Sequence, residues 1–143
     1  MTVQGELFAA DAPMVPGLRL MADAVSPTEE LALCAQIDAA PLAGMDPAAL
    51  AAALLIRYDP GAGIGWHRDR PQYGEVVGLS LGVPCVMRLR RRTAGSFERR
   101  KLALPPRSLY RLSGEVRWQW EHSIAPMERT RRSITFRTLG QPG

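Results

Sequence analysis

Ile56 to Asp69 reads IRYDPGAGIGWHRD: the end of an apolar run, a turn-rich connector, and then Trp66-His67-Arg68-Asp69. Leu54 to Tyr58, leading into it, has the β-branched and aromatic character of a strand. The connector Asp59 to Gly65 is built of Pro, Gly and Ala, which turn the chain sharply. Beyond it, Val76–Leu81, Cys85–Arg90, Lys101–Leu104, Ser108–Leu112, Val116–His122 and Ser133–Leu139 read as further strands. They are short and separated by turns such as GVP, LPPRS and LSGE. That spacing predicts a sandwich or jelly roll rather than alternating strands and helices.

His67 and Asp69 stand two residues apart, so on an extended chain both side chains point to one face. Two imidazoles and one carboxylate on one side of Fe(II) leave three coordination positions open, the facial triad of non-haem iron oxygenases. The chain has one other histidine, His122, within the strand-like WQWEHSI. A lone HxD is a weak signal, and taken alone it fits a surface His and Asp near a turn better. The C-terminal run Arg131-Arg132-Ser133-Ile134-Thr135-Phe136-Arg137 favours the metal. As a strand it puts Arg131, Ser133, Thr135 and Arg137 on one face. Two buried guanidinium groups are costly unless anions neutralise them, and a dicarboxylate would do so. The competing interpretation is an exposed basic edge strand that resists aggregation.

Upstream, Ser26-Pro27-Thr28-Glu29 reads as a helix start with Ser26 as N-cap and Glu29 at the third helical position. That helix should run to about Ala39, and a second short one from Asp46-Pro47 to about Ala52. Residues 1–25 read as an irregular or extended lead-in. The length of 143 residues fits one domain: 1–52 as an N-terminal extension with helices, 53–140 as the catalytic core.

Charge is unevenly placed. Residues 1–56 carry seven acids and one base, residues 57–143 seven acids and seventeen bases. All the bases but Lys101 are arginine, which suits an anionic partner such as nucleic acid; a solvated surface shaped by codon usage is the alternative. Arg88 to Arg92, a turn over Thr93–Ser96, and Glu98 to Lys101 form a basic hairpin by pattern. Cys34 and Cys85 lie in apolar settings without CxxC spacing and read as buried reduced thiols. No signal peptide or membrane-spanning run is visible, so a cytoplasmic protein without membrane contact is expected. A monomer is expected as well.

IRYDPGAGIGWHRD, EVVGLSLGVPCVMRLR, WEHSIAP and RRSITFR together resemble the AlkB family of 2-oxoglutarate- and Fe(II)-dependent dioxygenases over about residues 46–140. The resemblance implies a mainly β protein with N-terminal helices and a double-stranded β-helix (jelly-roll) core. It implies Fe(II) held by His67, Asp69 and His122, with 2-oxoglutarate and O2 as co-substrates. Arg131 would pair with the distal carboxylate of 2-oxoglutarate and Arg137 lie near its keto-acid end. Tyr58 matches a strand tyrosine that contacts the co-substrate, with Ser133 between the two arginines. The implied activity is oxidative removal of N-alkyl groups from nucleic-acid bases, a form of direct DNA repair that releases formaldehyde, succinate and CO2. Its substrate would be single-stranded nucleic acid or a base flipped from a duplex. Arg88, Arg90, Arg92, Arg99 and Arg100 are the candidate backbone contacts. Trp66, Trp118 and Trp120 could stack on bases, but Trp118, Trp120 and His122 alternate, which points instead to packing around the metal.

Two departures matter. Ile56 stands where many relatives have an asparagine that touches the co-substrate. Leu42 to Asp46 joins the two helices almost directly, where relatives carry a hairpin-rich lid. A shortened lid leaves open oxidation of a protein or small molecule, or a silent relic that only binds.

Overall fold

The structure, a computed structural model, describes residues 14–39 and 53–139. The helix expected over Asp46–Ala52 and the 42–46 junction lie outside the described residues.

The strands are β1 (Leu18–Met21), β2 (Ala53–Tyr58), β3 (Ile64–His67), β4 (Tyr73–Leu81), β5 (Cys85–Thr93), β6 (Ser96–Leu104), β7 (Ser108–Leu112), β8 (Glu121–Ile124) and β9 (Arg131–Leu139). Among the described residues two helices accompany them, α1 (Pro27–Ala39) before β2 and α2 (Gly114–Trp118) before β8. Five strands form one sheet in the order β1-β7-β4-β9-β2 and four form the other, β3-β8-β5-β6. All paired neighbours are antiparallel. Neighbours distant in sequence, such as β4 beside β9, give the jelly-roll topology that the short strands predict.

Alternation assigns the faces. Val76, Met87, Leu89, Leu104, Leu112 and Ile124 are buried together in the main core. On the opposite face of the larger sheet, Leu79, Leu81 and Ile134 pack against Ile37 of α1. Burial of a side chain such as Ile37 is worth roughly 1.5–3 kcal/mol, so this packing docks the helix. Its start is the reciprocal cap expected: Glu29 N–H donates to Ser26 Oγ at 3.1 Å and Ser26 N–H to Glu29 Oε1 at 2.7 Å. Arg132, whose side chain leaves β9 on the helix side, makes two 2.7 Å hydrogen bonds to Asp38 of α1.

The lead-in holds β1, which pairs with β7 in the register Leu18 to Leu112. Gly17, at φ +88°, lies so near Ser113 that a Cβ there would sit 1.7 Å from its carbonyl oxygen. The hairpin β5–β6 turns through Ala94 and Gly95, the latter at φ +77°.

The strand expected over Val116–His122 is corrected. Residues 114–118 form one turn of helix and the strand begins at Glu121. Val116 and Trp120, four residues apart, are both buried, whereas Trp118 between them is not. The apolar period is helical, although alternating Val, Trp and Trp imitate a strand. Trp120 therefore packs in the core, its indole N–H bonded to Glu115 Oε2 at 3.0 Å, and Trp118 lines a surface cleft. Trp66 also leaves the metal side, because its neighbour His67 faces inward on β3. The expected core packing therefore holds for Trp120, which shares its cluster with Val76, Met87, Tyr110 and Ile124 of the cavity beside the triad, and fails for Trp118. Both cysteines are free, Cys85 buried and Cys34 half-buried.

Candidate metal centre

His67 ends β3 and stands directly opposite His122 of β8, with ring centroids 4.3 Å apart. Asp69 follows two residues later, past the strand end, and its side chain is almost fully buried. One ligand atom from each of the three lies within 4.8 Å of the others. With its proton on Nδ1, His67 donates to the Gly65 carbonyl at 2.8 Å, which leaves Nε2 free 3.7 Å from Asp69 Oδ1. Burial, helped by the facing His67, pushes the His122 imidazole down to about 4, so it stays neutral and able to bind a metal. A borderline cation with octahedral preference and open positions fits this donor set.

Along the inner face of β9, Arg131, Ser133, Thr135 and Arg137 line one narrow cavity of about 70 Å³ with Tyr58, Ile56, His67, Asp69 and His122. The face read from the sequence is therefore the inner one, and the exposed edge strand is excluded for Arg131, Ser133 and Thr135, all buried. Arg131 is 1% exposed. Its Nε donates to Ser80 Oγ at 3.0 Å, and its guanidinium lies 5.2 Å from the centre of the Tyr58 ring. Among the described residues no carboxylate forms an ion pair with it. A buried guanidinium without a counter-charge calls for an anion from outside. Arg137, at the other end of the face, bonds Asp69 through Nε at 2.5 Å. The cavity thus has a cationic floor and a metal-ligand rim, which suits a dicarboxylate bound to a metal through its other end. Ile56 lines its wall and supplies no polar group there, as its side chain requires.

Two residues that support this cavity carried no signal in the sequence. Ser80 reaches Arg131 from behind the cavity wall because β4 pairs with β9, Ser80 opposite Ser133. Tyr110, whose hydroxyl burial raises to about 12, lies over Gly78 so closely that a Cβ there would meet the ring at 2.2 Å. Outside the triad opens a cleft of about 390 Å³, lined by Leu54, Arg68, Arg70 and Tyr73 with His67, Asp69 and Arg137.

The candidate nucleic-acid residues divide. Arg88, Arg90, Arg92 and Arg99 lie on the outer face of the smaller sheet, away from the triad. There Arg90 stands 4.3 Å from the Trp66 ring and 4.4 Å from Phe97, and Arg92 and Arg99 also lie over Phe97. Arg90 is paired with Glu121 at 2.8 Å, while Arg88 bonds Ser123 Oγ. Arg100 belongs to the opposite face, in register with Leu89, and is paired with Glu98.

A family model described as the 2OG-Fe(II) oxygenase superfamily matches residues 13–137. The chain is 36% identical over 95 residues to the uncharacterized protein L905 of Acanthamoeba polyphaga mimivirus, covering 57% of this chain and 45% of that protein. It is 33% identical over 84 residues to an alkylated DNA repair protein ALKBH8 homolog of Arabidopsis thaliana, covering 47% of this chain and 24% of that protein. The chain thus spans less than half the length of these relatives. Among solved structures, a Pseudomonas putida prolyl-4-hydroxylase superposes with a TM-score of 0.60 at 20% identity, over 87% of this chain and 89% of that one. That likeness bears out the jelly-roll fold, and the ALKBH8 relative bears out the AlkB resemblance.

Proposed function

Because the chain belongs to the 2OG-Fe(II) oxygenase superfamily, we propose that it oxidises an N-alkyl group on a nucleic-acid base. In this reading one O2 and one 2-oxoglutarate are consumed, and an N-methyl group leaves as formaldehyde with succinate and CO2. His67, Asp69 and His122 hold Fe(II) on one side, leaving the outer cleft free for substrate. Bound there, Fe(II) supplies O2 activation, with 2-oxoglutarate as the source of the second electron pair. Arg131 takes the distal carboxylate, steadied by Ser80 and flanked by Tyr58 and Ser133. Arg137 orients Asp69 and faces the keto-acid end. The observation that carries the co-substrate assignment is the buried Arg131, which has no carboxylate partner among the described residues.

Nucleic acid as substrate is supported by the likeness to the Arabidopsis alkylated DNA repair protein homolog, by the arginines at the cleft mouth, Arg68 and Arg70, and by the cationic outer face of the smaller sheet. Arg88, Arg92 and Arg99 make no ion pair among the described residues and are the strongest candidates for backbone phosphates. Arg90 serves the same face through Trp66 and Phe97. We place the activity in the cytoplasm, in a monomer of one domain.

The test is incubation with Fe(II), ascorbate and 2-oxoglutarate in the presence of N-methylated single-stranded DNA or RNA. Formaldehyde and succinate in equal amounts are expected. Succinate that does not depend on the methylated strand would move the reaction to a protein or small molecule. No succinate under any condition would overturn the enzyme reading.

A further inference from the structure

Two arginines are buried among the described residues: Arg131, assigned above, and Arg117 on α2, which is 3% exposed. Among those residues no carboxylate forms an ion pair with Arg117; its donors go to main-chain carbonyls. Nε donates to Gly74 O at 2.6 Å, Nη2 to Arg70 O at 2.9 Å and Tyr73 O at 2.8 Å, and Nη1 to Asp69 O at 3.3 Å. The guanidinium also lies 3.9 Å from the centre of the Trp118 ring. All four acceptors belong to the segment Asp69–Gly74, which leaves β3 and enters β4. Within it one main-chain turn bond is present, Tyr73 N–H to Arg70 O at 3.1 Å.

An uncompensated buried cation is expensive, and an apolar side chain of similar volume would cost the fold less. What the cation provides is geometric. A planar fork with five N–H groups can gather four carbonyls of one loop, which an ammonium on a flexible stem cannot. The loop so gathered carries Asp69 at its start, and its residues wall the cleft outside the triad and a second one, of about 630 Å³, beside Trp118. We infer that Arg117 is a positioning residue: it fixes the main chain of Asp69 so that the carboxylate meets a metal together with His67 and His122. The inference rests on the metal reading proposed above. It also gives α2 a purpose, since a strand in its place would not bring Arg117 to this loop in the same way.

The experiment is calorimetric titration of Mn(II) into metal-free protein, comparing wild type with Arg117→Lys, Arg117→Met and Trp118→Ala, alongside circular dichroism and thermal melting. Loss of outer-shell support typically weakens metal binding about 10–100-fold. That range is expected for Arg117→Met, with Arg117→Lys between it and wild type. Trp118→Ala, which removes the stacking partner and leaves the fork, is expected to weaken binding less, in the same direction. If Arg117→Met fails to fold, the other two variants decide. Folded variants with the wild-type Kd and only a lowered melting temperature would overturn the inference while leaving the metal site standing. Wild-type protein that binds no Mn(II) would overturn both.

Discussion

At the scale of single residues, the candidate site is held by groups whose charge state burial decides. His122 is the clearest case, a neutral imidazole held at about 4 in the fold and free to take a proton near 6.5 when unfolded. The unfolded chain therefore binds the extra proton first as pH falls. The stability that depends on neutral His122 is complete above about pH 6.5 and is lost progressively toward pH 4. Metal-free protein should show a urea midpoint that drops through this window, and His122→Gln should show a shallower drop. Parallel pH profiles for the two proteins would contradict the assignment of burial as the cause. The residues of this site divide by legibility. His67, Asp69, Arg131 and Arg137 could be read because their spacing alone sets a shared face. Ser80, Tyr110 and Arg117 could not, because each meets the site through a strand pairing or a loop tens of residues away.

Among the elements, the register of β3 against β8 matters most, because it sets His67 opposite His122. Gly63 guards that register. A Cβ at this position would lie 2.5 Å from Ile124 O, 2.7 Å from Pro126 N and 2.9 Å from Ala125 C, all main-chain atoms that cannot swing aside. Gly63→Ala should force β3 away from β8, cost roughly 1–3 kcal/mol of stability through overpacking, and weaken metal binding. Thermal melting and Mn(II) titration on the same sample would check both effects. Unchanged melting and affinity would mean that the two strands do not approach as described. The α1 cap was legible because Ser26 and Glu29 satisfy each other locally. α2 was not, because Val116, Trp118 and Trp120 alternate like a strand while their burial follows a helical turn.

For the molecule as a whole, sequence and structure agree on the architecture. Short strands broken by Gly, Pro and Ser turns predict a jelly roll, and two facing antiparallel sheets are found. What the pattern could not give was strand order, since β4 beside β9 and β5 beside β8 are pairings distant along the chain. The uneven charge has a consequence at this scale as well. The excess of bases beyond residue 56 includes the arginines of the smaller sheet's outer face, which the strands hold together with Trp66 and Phe97. Binding to single-stranded oligonucleotides should therefore weaken as salt rises. Arg92→Ala with Arg99→Ala should lower the slope of log K against log salt by about 0.7 for each phosphate that is no longer neutralised. Fluorescence anisotropy across a salt series would measure it, and an unchanged slope would return this face to ordinary solvated surface.

The chemistry depends on the pairing of a metal triad with a buried cation, and 2-oxoglutarate binding tests that pairing most directly. Calorimetry under anaerobic conditions, with Mn(II) in place of Fe(II), should give one 2-oxoglutarate per chain. Binding should be lost on chelation of the metal or on His67→Ala, and weakened by Arg131→Met, which removes a charge-assisted bond worth roughly 1.5–3 kcal/mol, or about 10–150-fold in Kd. Binding that persists without metal and is indifferent to Arg131 would contradict the assignment of this cavity.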